Sequence, residues 1–237
     1  MSQATSPAQY RVRDYGAPAA LVEITAPTYE QRWRAARSLG QALRAARLDG
    51  MLDVVATYET VVVFLDPLLA GPEQVRSWVA AMAGVTTPEA PATRFTVPVL
   101  YGDDAGPDLV GVADELGIGP DELVELHTTE DWTIRFVGSP VAAPFLDGPP
   151  LPAAVRRLAE PRPRVPAGSL AVSGQQSMIY SAASPGGWRL IGRTPCILFE
   201  LTPPHVPYRP GDLMRFIPIS AQTWDAHTGP LRAEHAG

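Results

Sequence analysis

The sequence predicts an α+β chain in two parts, a helix-bearing α/β half followed by a strand-and-turn half that closes into a β-barrel. Three observations carry this prediction. Up to about His127, apolar residues recur at helical spacing in several segments, whereas from Val165 onward the helical period is gone. In the second half, short alternating runs are separated by Gly- and Pro-containing turns, the pattern of many short strands. The 237 residues are 46% hydrophobic and 19% charged, a globular balance sufficient for one large core or two ordinary ones.

Residues 1–9 are expected to be a floppy lead. Ala20–Ile24 alternates weakly and predicts a strand. Thr28 and Gln31 fit a capping box opening a helix to about Leu48, with Ala36, Leu39, Leu43 and Ala46 on one face and Gly50 as the stop. The arginines of that helix (Arg32, Arg34, Arg37, Arg44, Arg47) are best explained as a solvated face. Leu52–Tyr58 and Val61–Leu65 are spaced as a hairpin. Pro72 starts a second helix, and a strand at Arg94–Leu100 closes the set. The order β-α-β-β-α-β is that of a ferredoxin-like split βαβ unit.

Beyond a boundary set between Leu100 and Tyr101, Gly106–Leu116 and Pro120–His127 predict two short helices and Trp132–Val137 a strand. SPVAAPFLDGPPLP is loop-like in composition. Strands follow near Ser169–Val172, Ser177–Tyr180, Trp188–Ile191, Cys196–Leu201 and Leu213–Ile219. The expected domains are thus 1–100 and 101–220, with 221–237 as a flexible tail.

Several function classes drop out on composition. The net charge of −6 with no basic cluster removes the electrostatic footprint of a nucleic-acid binder. No apolar run approaches the roughly 18 residues of a membrane span, and the N-terminus lacks a signal-peptide pattern, so the cytoplasm is the expected location. The single cysteine, Cys196, excludes an internal disulfide and lies in the apolar run CILFEL, where a buried inert thiol is expected. No G-x-S-x-G, H-E-x-x-H or phosphate loop is present. Asp103, Asp104 and Asp108 could attract a hard cation, but turn formation and N-capping explain them more simply.

The chemistry-bearing residues concentrate between Arg164 and Pro195. Arg164, Gln176, Tyr180, Trp188 and Arg193 sit on a Gly-rich frame that lets backbone approach a ligand closely. Period-2 alternation in WRLIGR puts Trp188 and Leu190 on one face and Arg189, Ile191 and Arg193 on the other. An inward arginine needs an anionic partner, so Arg164 and Arg193 are candidates to hold a carboxylate. Closing turns by bonding carbonyls is the equal alternative. His127 ends an amphipathic helix just before a strand; the dipole at a helix C-terminus accounts for it, and its ordinary pKa also permits acid/base work near neutrality.

The blocks VPVLYGDDAGPDLVGVADELGIGPDELVELHT, RVPAGSLAVSGQQSMIY and SPGGWRLIGRTP resemble the PxpB/KipI family, which also covers the protein called allophanate hydrolase subunit 1. The resemblance runs from about Val12 to Ile219. It implies an N-terminal α/β domain and a C-terminal cyclophilin-like β-barrel. Members of this family are typically one subunit of the bacterial ATP-dependent 5-oxoprolinase, which opens 5-oxo-L-proline to L-glutamate. They work with a PxpC (KipA-like) subunit and a PxpA subunit. Related modules occur in the carboxyltransferase part of urea carboxylase, and one member inhibits a sporulation histidine kinase.

On that resemblance His127 would be the catalytic acid/base or hydrogen-bonding group. Gln176 and Tyr180 would orient a lactam or amide, Arg193 and Arg164 would hold a carboxylate, and Trp188 and Met178 would line the pocket. ATP would be used by the assembly, with no cofactor bound by this chain alone. Two segments depart from the family. Where it reads close to GFxPGFxYL, this chain has GSPVAAPFL, with Ser139 and Ala143 for aromatics and Ala142 for a glycine. Where it reads close to AGGQTGIYP, this chain has SGQQSMIYS, with Gln175 and Met178 for glycines and Ser181 for a proline. These changes leave two further readings open: a stand-alone enzyme acting on a bulkier, more apolar substrate, and a histidine-kinase inhibitor.

Overall fold

The computed structural model describes residues 7–16, 18–85, 91–139 and 142–234. Contacts divide the chain into two compact units, Met1–Ala90 and Pro91–Gly237. None of the described helices is long and apolar enough to cross a membrane.

The first unit contains β1 (Gln9–Asp14), β2 (Ala19–Thr25), α1 (Tyr29–Ala46), β3 (Met51–Ala56), β4 (Thr60–Leu65) and α2 (Pro72–Met82). The predicted capping box is present: Gln31 N–H donates to Thr28 Oγ1 at 3.2 Å and Thr28 N–H to Gln31 Oε1 at 3.1 Å. α1 ends where Arg47 turns left-handed, and Gly50 at φ +79° completes the reversal. Its apolar stripe, Ala36, Leu39 and Leu43, packs with Val22, Val54, Val61 and Val63 of the sheet.

The sheet order is β1-β2-β4-β3, antiparallel throughout. β2, β4 and β3 keep the strand order of a split βαβ unit. The outer strand beside β2, however, is β1 rather than Arg94–Leu100. Gln9–Asp14 pairs residue by residue with Thr25–Ala20, so the expected lead enters the sheet at Gln9.

The second unit is a closed seven-stranded barrel. Its elements are β5 (Arg94–Tyr101), α3 (Leu109–Leu116), α4 (Pro120–Thr129), β6 (Trp132–Gly138), β7 (Ala143–Asp147), β8 (Arg162–Val165), β9 (Ser169–Ser173), β10 (Gln176–Ile179), β11 (Ser184–Gly186), β12 (Arg189–Arg193), β13 (Cys196–Ile197), β14 (Glu200–Leu201), β15 (Pro204–His205), β16 (Leu213–Pro218) and β17 (Gly229–Pro230). The barrel order is β10-β7-β6-β16-β5-β12-β9, closed by β9 on β10.

β5 belongs here because it pairs in parallel with β16, Arg94 to Leu213 through Val99 to Pro218. That register sends Phe95, Val97 and Val99 into the barrel core beside Met214 and Phe216. The strand itself is legible in the sequence; its partner is not. The division therefore falls at Ala90/Pro91, ahead of the expected boundary at Leu100/Tyr101. Ala143–Asp147, inside the expected loop, is a barrel strand paired with both β6 and β10. Within the described part of the expected tail, residues 221–234, β17 pairs with β13 and Leu231 is buried.

Candidate functional site

Alternation along the barrel strands decides where each candidate residue goes. On β10, Ser177 and Ile179 point into the barrel, while Met178, with Tyr180 just beyond the strand, joins a separate apolar cluster outside it. The inward set includes His127, delivered from the last turn of α4.

His127 is wholly buried. Its ring lies between Trp132 and Phe216, at centroid distances of 4.7 Å and 4.5 Å. Tyr101 Oη is 2.9 Å from Nδ1, and Ser177 Oγ is 3.1 Å from Nε2. The direction of these bonds follows from proton count. Ser177 donates its one hydroxyl proton to the Ala171 carbonyl at 3.2 Å, so it accepts from His127 Nε2–H. Nδ1 is then the acceptor, and Tyr101 O–H donates to it. A directed chain runs Tyr101 to His127 to Ser177 to Ala171. Burial lowers the His127 pKa to about 3, so the imidazole is neutral at neutral pH. Of the two roles expected of His127, such a ring suits the hydrogen-bonding one rather than acid/base work near neutrality: desolvation disfavours the charged ring, and its two nitrogens face hydroxyls rather than a carboxylate that would offset it. Burial also pushes Tyr101 well above the usual phenol range. Tyr101 in turn borders an open cleft of about 460 Å³, lined also by Leu109, Asp121, Val124, Glu125 and Thr128.

Met178, Tyr180 and Trp188 do come together, with Ala143, Val165, Ala171 and Leu190, on the outer side of the barrel wall. Phe145 meets Trp188 edge to face at 5.6 Å and stacks on Phe136 at 4.3 Å. Arg157 lies 5.7 Å over the Trp188 ring. Met178, Tyr180 and Trp188 are each at least nine-tenths buried, so the cluster is packed closed. Burial raises the Tyr180 pKa, against the pull of the Trp188 backbone N–H and of Arg157 and Arg162.

Two departures noted in the sequence meet in this cluster. Ala143, where the resemblance implies an aromatic, and Met178, where it implies a glycine, are both among its members. The bulk lost at one position is restored at the other. Ala142, at the implied glycine, has φ +53°, the left-handed region that glycine favours. Gln175 holds Leu151 through both of its backbone polar groups, at 2.7 Å and 3.2 Å. Ser181 shares the Ala142 carbonyl with Tyr208.

The remaining candidates lie elsewhere. Gln176 donates to Asp147 Oδ1 at 3.1 Å, whose Oδ2 takes Arg135 Nε at 3.1 Å. Arg193 closes a turn, with Nε on the Ala167 carbonyl at 2.9 Å and its guanidinium 5.8 Å over Trp224. Of the two roles open to it, carboxylate holder or turn closer, it takes the second. A register shift in β12 between Leu190 and Gly192 takes Arg193 out of the alternation that would have turned it inward. Arg164 is exposed at the outer β8–β11 ribbon. His127 therefore sits apart from the Met178–Tyr180–Trp188 group, across the barrel wall.

Asp108 stands at the N-cap of α3 without capping it. Its carboxylate accepts from Leu190 N–H at 2.7 Å and from Arg162 at 2.9 Å, tying α3 to β12. Among the described residues no group of three or more His, Cys, Asp or Glu is placed to hold a metal. Cys196 is half-buried, and burial raises its thiol pKa. Tyr101, Ser177, Asp147 and Arg135 escaped the sequence reading. Ser177 alone carried a signal, being the opposite-parity neighbour of Gln176 and Met178.

The family model described as carboxyltransferase domain, subdomain C and D, matches residues 10–206. A Bacillus subtilis (strain 168) protein, named as a 5-oxoprolinase subunit of type B, is 38% identical over 133 residues, 55% of this chain and 55% of that protein. One of the same name from Escherichia coli O157:H7 is 42% identical over 130 residues, 54% of this chain and 60% of that protein. The matches thus span little more than half the length of these curated relatives. The Kluyveromyces lactis urea carboxylase structure aligns with a TM-score of 0.78 at 15% identity, over 95% of this chain and 24% of that one, a likeness of fold alone.

Proposed function

Because the chain belongs to the family of carboxyltransferase-domain subdomains C and D, as a PxpB-family member, we propose that it acts as a PxpB-like subunit of an ATP-dependent 5-oxoprolinase-type assembly. The observation that carries this reading is the identity of 38% and 42% to two proteins that bear the name of a 5-oxoprolinase subunit. The substrate class is a small lactam or amide bearing a carboxylate. The reaction hydrolyses the ring C–N bond, with water supplying hydroxyl to the carbonyl carbon and hydrogen to the nitrogen. ATP hydrolysis drives it within the assembly.

The geometry supports a contributing subunit over a self-sufficient enzyme. The neutral, enclosed His127 is fitted to hold Tyr101 and Ser177 in one arrangement; exchanging protons with solvent at pH 7 does not suit a ring so buried. Gln176, only partly buried, is the polar group of this chain proposed to meet substrate. Catalysis is completed by PxpC/KipA-like and PxpA-like partners, in the cytoplasm. The test is co-expression with those subunits and assay of ATP-dependent glutamate release from 5-oxoproline. An assembled complex that releases none overturns the reading.

A further inference from the structure

Four of the nine residues from Arg156 to Arg164 are arginines, a local concentration that the net charge of −6 conceals. With Arg189 they make five cations around the ribbon of β8 and β11. Asp108 accepts from Arg162 at 2.9 Å and from the Leu190 N–H at 2.7 Å, with Arg189 at 3.8 Å. Glu115 pairs with Arg156 at 3.0 Å and with Arg189 at 3.4 Å. The segment's own carboxylate, Glu160, is exposed. Three carboxylates against five arginines leave an excess of two positive charges. Among the described residues Arg157 and Arg164 have no ion-pair partner, and Arg162 Nη1 is shielded from water without a hydrogen-bond partner. Cations left so incompletely neutralised attract an anion.

The fold gathers these cations around one hydroxyl. Gly186 pairs with Arg162 across the ribbon, and a Cβ on Gly186 would collide with the Tyr180 hydroxyl. Only glycine there lets the phenol lie against the ribbon at the level of Arg162. Just beyond, Trp188 carries the Arg157 guanidinium over its ring at 5.7 Å. The Leu158 N–H donates to the Gly187 carbonyl at 2.8 Å and fixes the chain beside Arg157 to the same turn. Tyr180 is 5% exposed. Its oxygen accepts from the Trp188 N–H, while its own proton has no acceptor among the described residues.

We propose that the Tyr180 O–H, Arg157 and Arg162 form a seat for the oxyanion of a small ligand, a carboxylate or a phosphate. The Arg157 guanidinium is planar and already set on the indole, so it presents paired N–H donors to two oxygens. The phenol supplies a further donor. Asp108 holds Arg162 in place and leaves its Nη1 side uncompensated, and the exposed Arg164 adds to the field. The carboxylate-holding role expected of Arg193, which closes a turn instead, passes here to Arg157 and Arg162. The seat is read by binding to this chain alone, so it stands or falls apart from the 5-oxoprolinase reading.

The test is anion titration of the full chain at constant ionic strength, followed by tryptophan fluorescence and isothermal titration calorimetry. An anion that draws on Arg157 changes the field over Trp188. Separate titrations use 5-oxoproline and inorganic phosphate, with chloride as the control. A saturable response is expected: to 5-oxoproline if the seat takes a carboxylate, to phosphate if it takes a phosphoryl group. Arg157→Gln, at an exposed position, should keep the melting temperature and weaken binding by roughly tenfold. Tyr180→Phe should weaken it by roughly fivefold. Arg11→Gln, at an exposed arginine of the first unit, should leave it unchanged. Saturable binding of neither anion, a response that chloride reproduces, or an affinity untouched by Arg157→Gln overturns the proposal.

Discussion

Replacing His127 by glutamine should remove a specific part of the protein's pH-dependent stability. In the folded chain the imidazole pKa is lowered from 6.5 to about 3 by burial. The unfolded chain therefore binds a proton at this residue between those values while the folded chain does not. Stability contributed by His127 is full above pH 6.5 and is lost as the pH falls toward 3. Between pH 7.5 and pH 5 the loss integrates to about 2 kcal/mol, since each pH unit well inside the window removes about 1.4 kcal/mol.

Two other perturbed groups act at lower pH. Glu115 is held below the usual carboxylate range first by the Arg156 backbone N–H. At Asp131, burial pushes the carboxyl up, but hydrogen bonds from Arg94 and Arg215 together with their charges bring it below. Urea unfolding of both proteins at pH 7.5 and pH 5 supplies the comparison, the variant showing a pH loss smaller by about 2 kcal/mol. If the variant folds poorly, nuclear magnetic resonance on the wild-type imidazole gives the same answer: the Nε2–H tautomer should persist at pH 5. Equal pH slopes in the two proteins, or a ring that protonates near pH 6, would refute the argument.

Other consequences follow from particular contacts. Ala142→Gly relieves a left-handed alanine and should stabilise the protein by about 0.5–1 kcal/mol, net of the added freedom of the unfolded chain, seen as a raised melting temperature. A fall in melting temperature would show that φ +53° is not strained there. Trp188→Ala empties the centre of the outer cluster and should lose about 3–5 kcal/mol in denaturant unfolding. A loss under 1 kcal/mol would mean the cluster is loosely packed.

The parts of the fold that were legible in the sequence are those set by neighbours along the chain. The capping box of α1 needs only Thr28 and Gln31, three residues apart. The turns and alternation after Val165 announced short strands, and β9, β10, β12 and β16 fall close to their expected positions. Two helices were anticipated before β6, and α3 and α4 are there. What resisted was pairing. Arg94–Tyr101 has the same strand character whether it joins the first sheet or the barrel, and only the register with Leu213–Pro218 assigns it. Gln9–Asp14 became a strand because β2 had a free edge to accept it.

The candidate site divides in the same way. The family resemblance grouped His127, Met178, Tyr180 and Trp188 in one site. The barrel wall separates them, because alternation on β10 turns Ser177 inward to His127 and Met178 outward to Trp188. A single residue's shift in β12 decided Arg193, whose Nε closes a turn on Ala167. The sequence by itself determined the strand-and-helix content, the helix caps and the family blocks, all of them local in the chain. Only the tertiary structure decided that His127 is a neutral, enclosed ring and that Ala143 and Met178 occupy one cluster. Burial and cross-strand register arise from residues distant in the chain, and no local pattern encodes either.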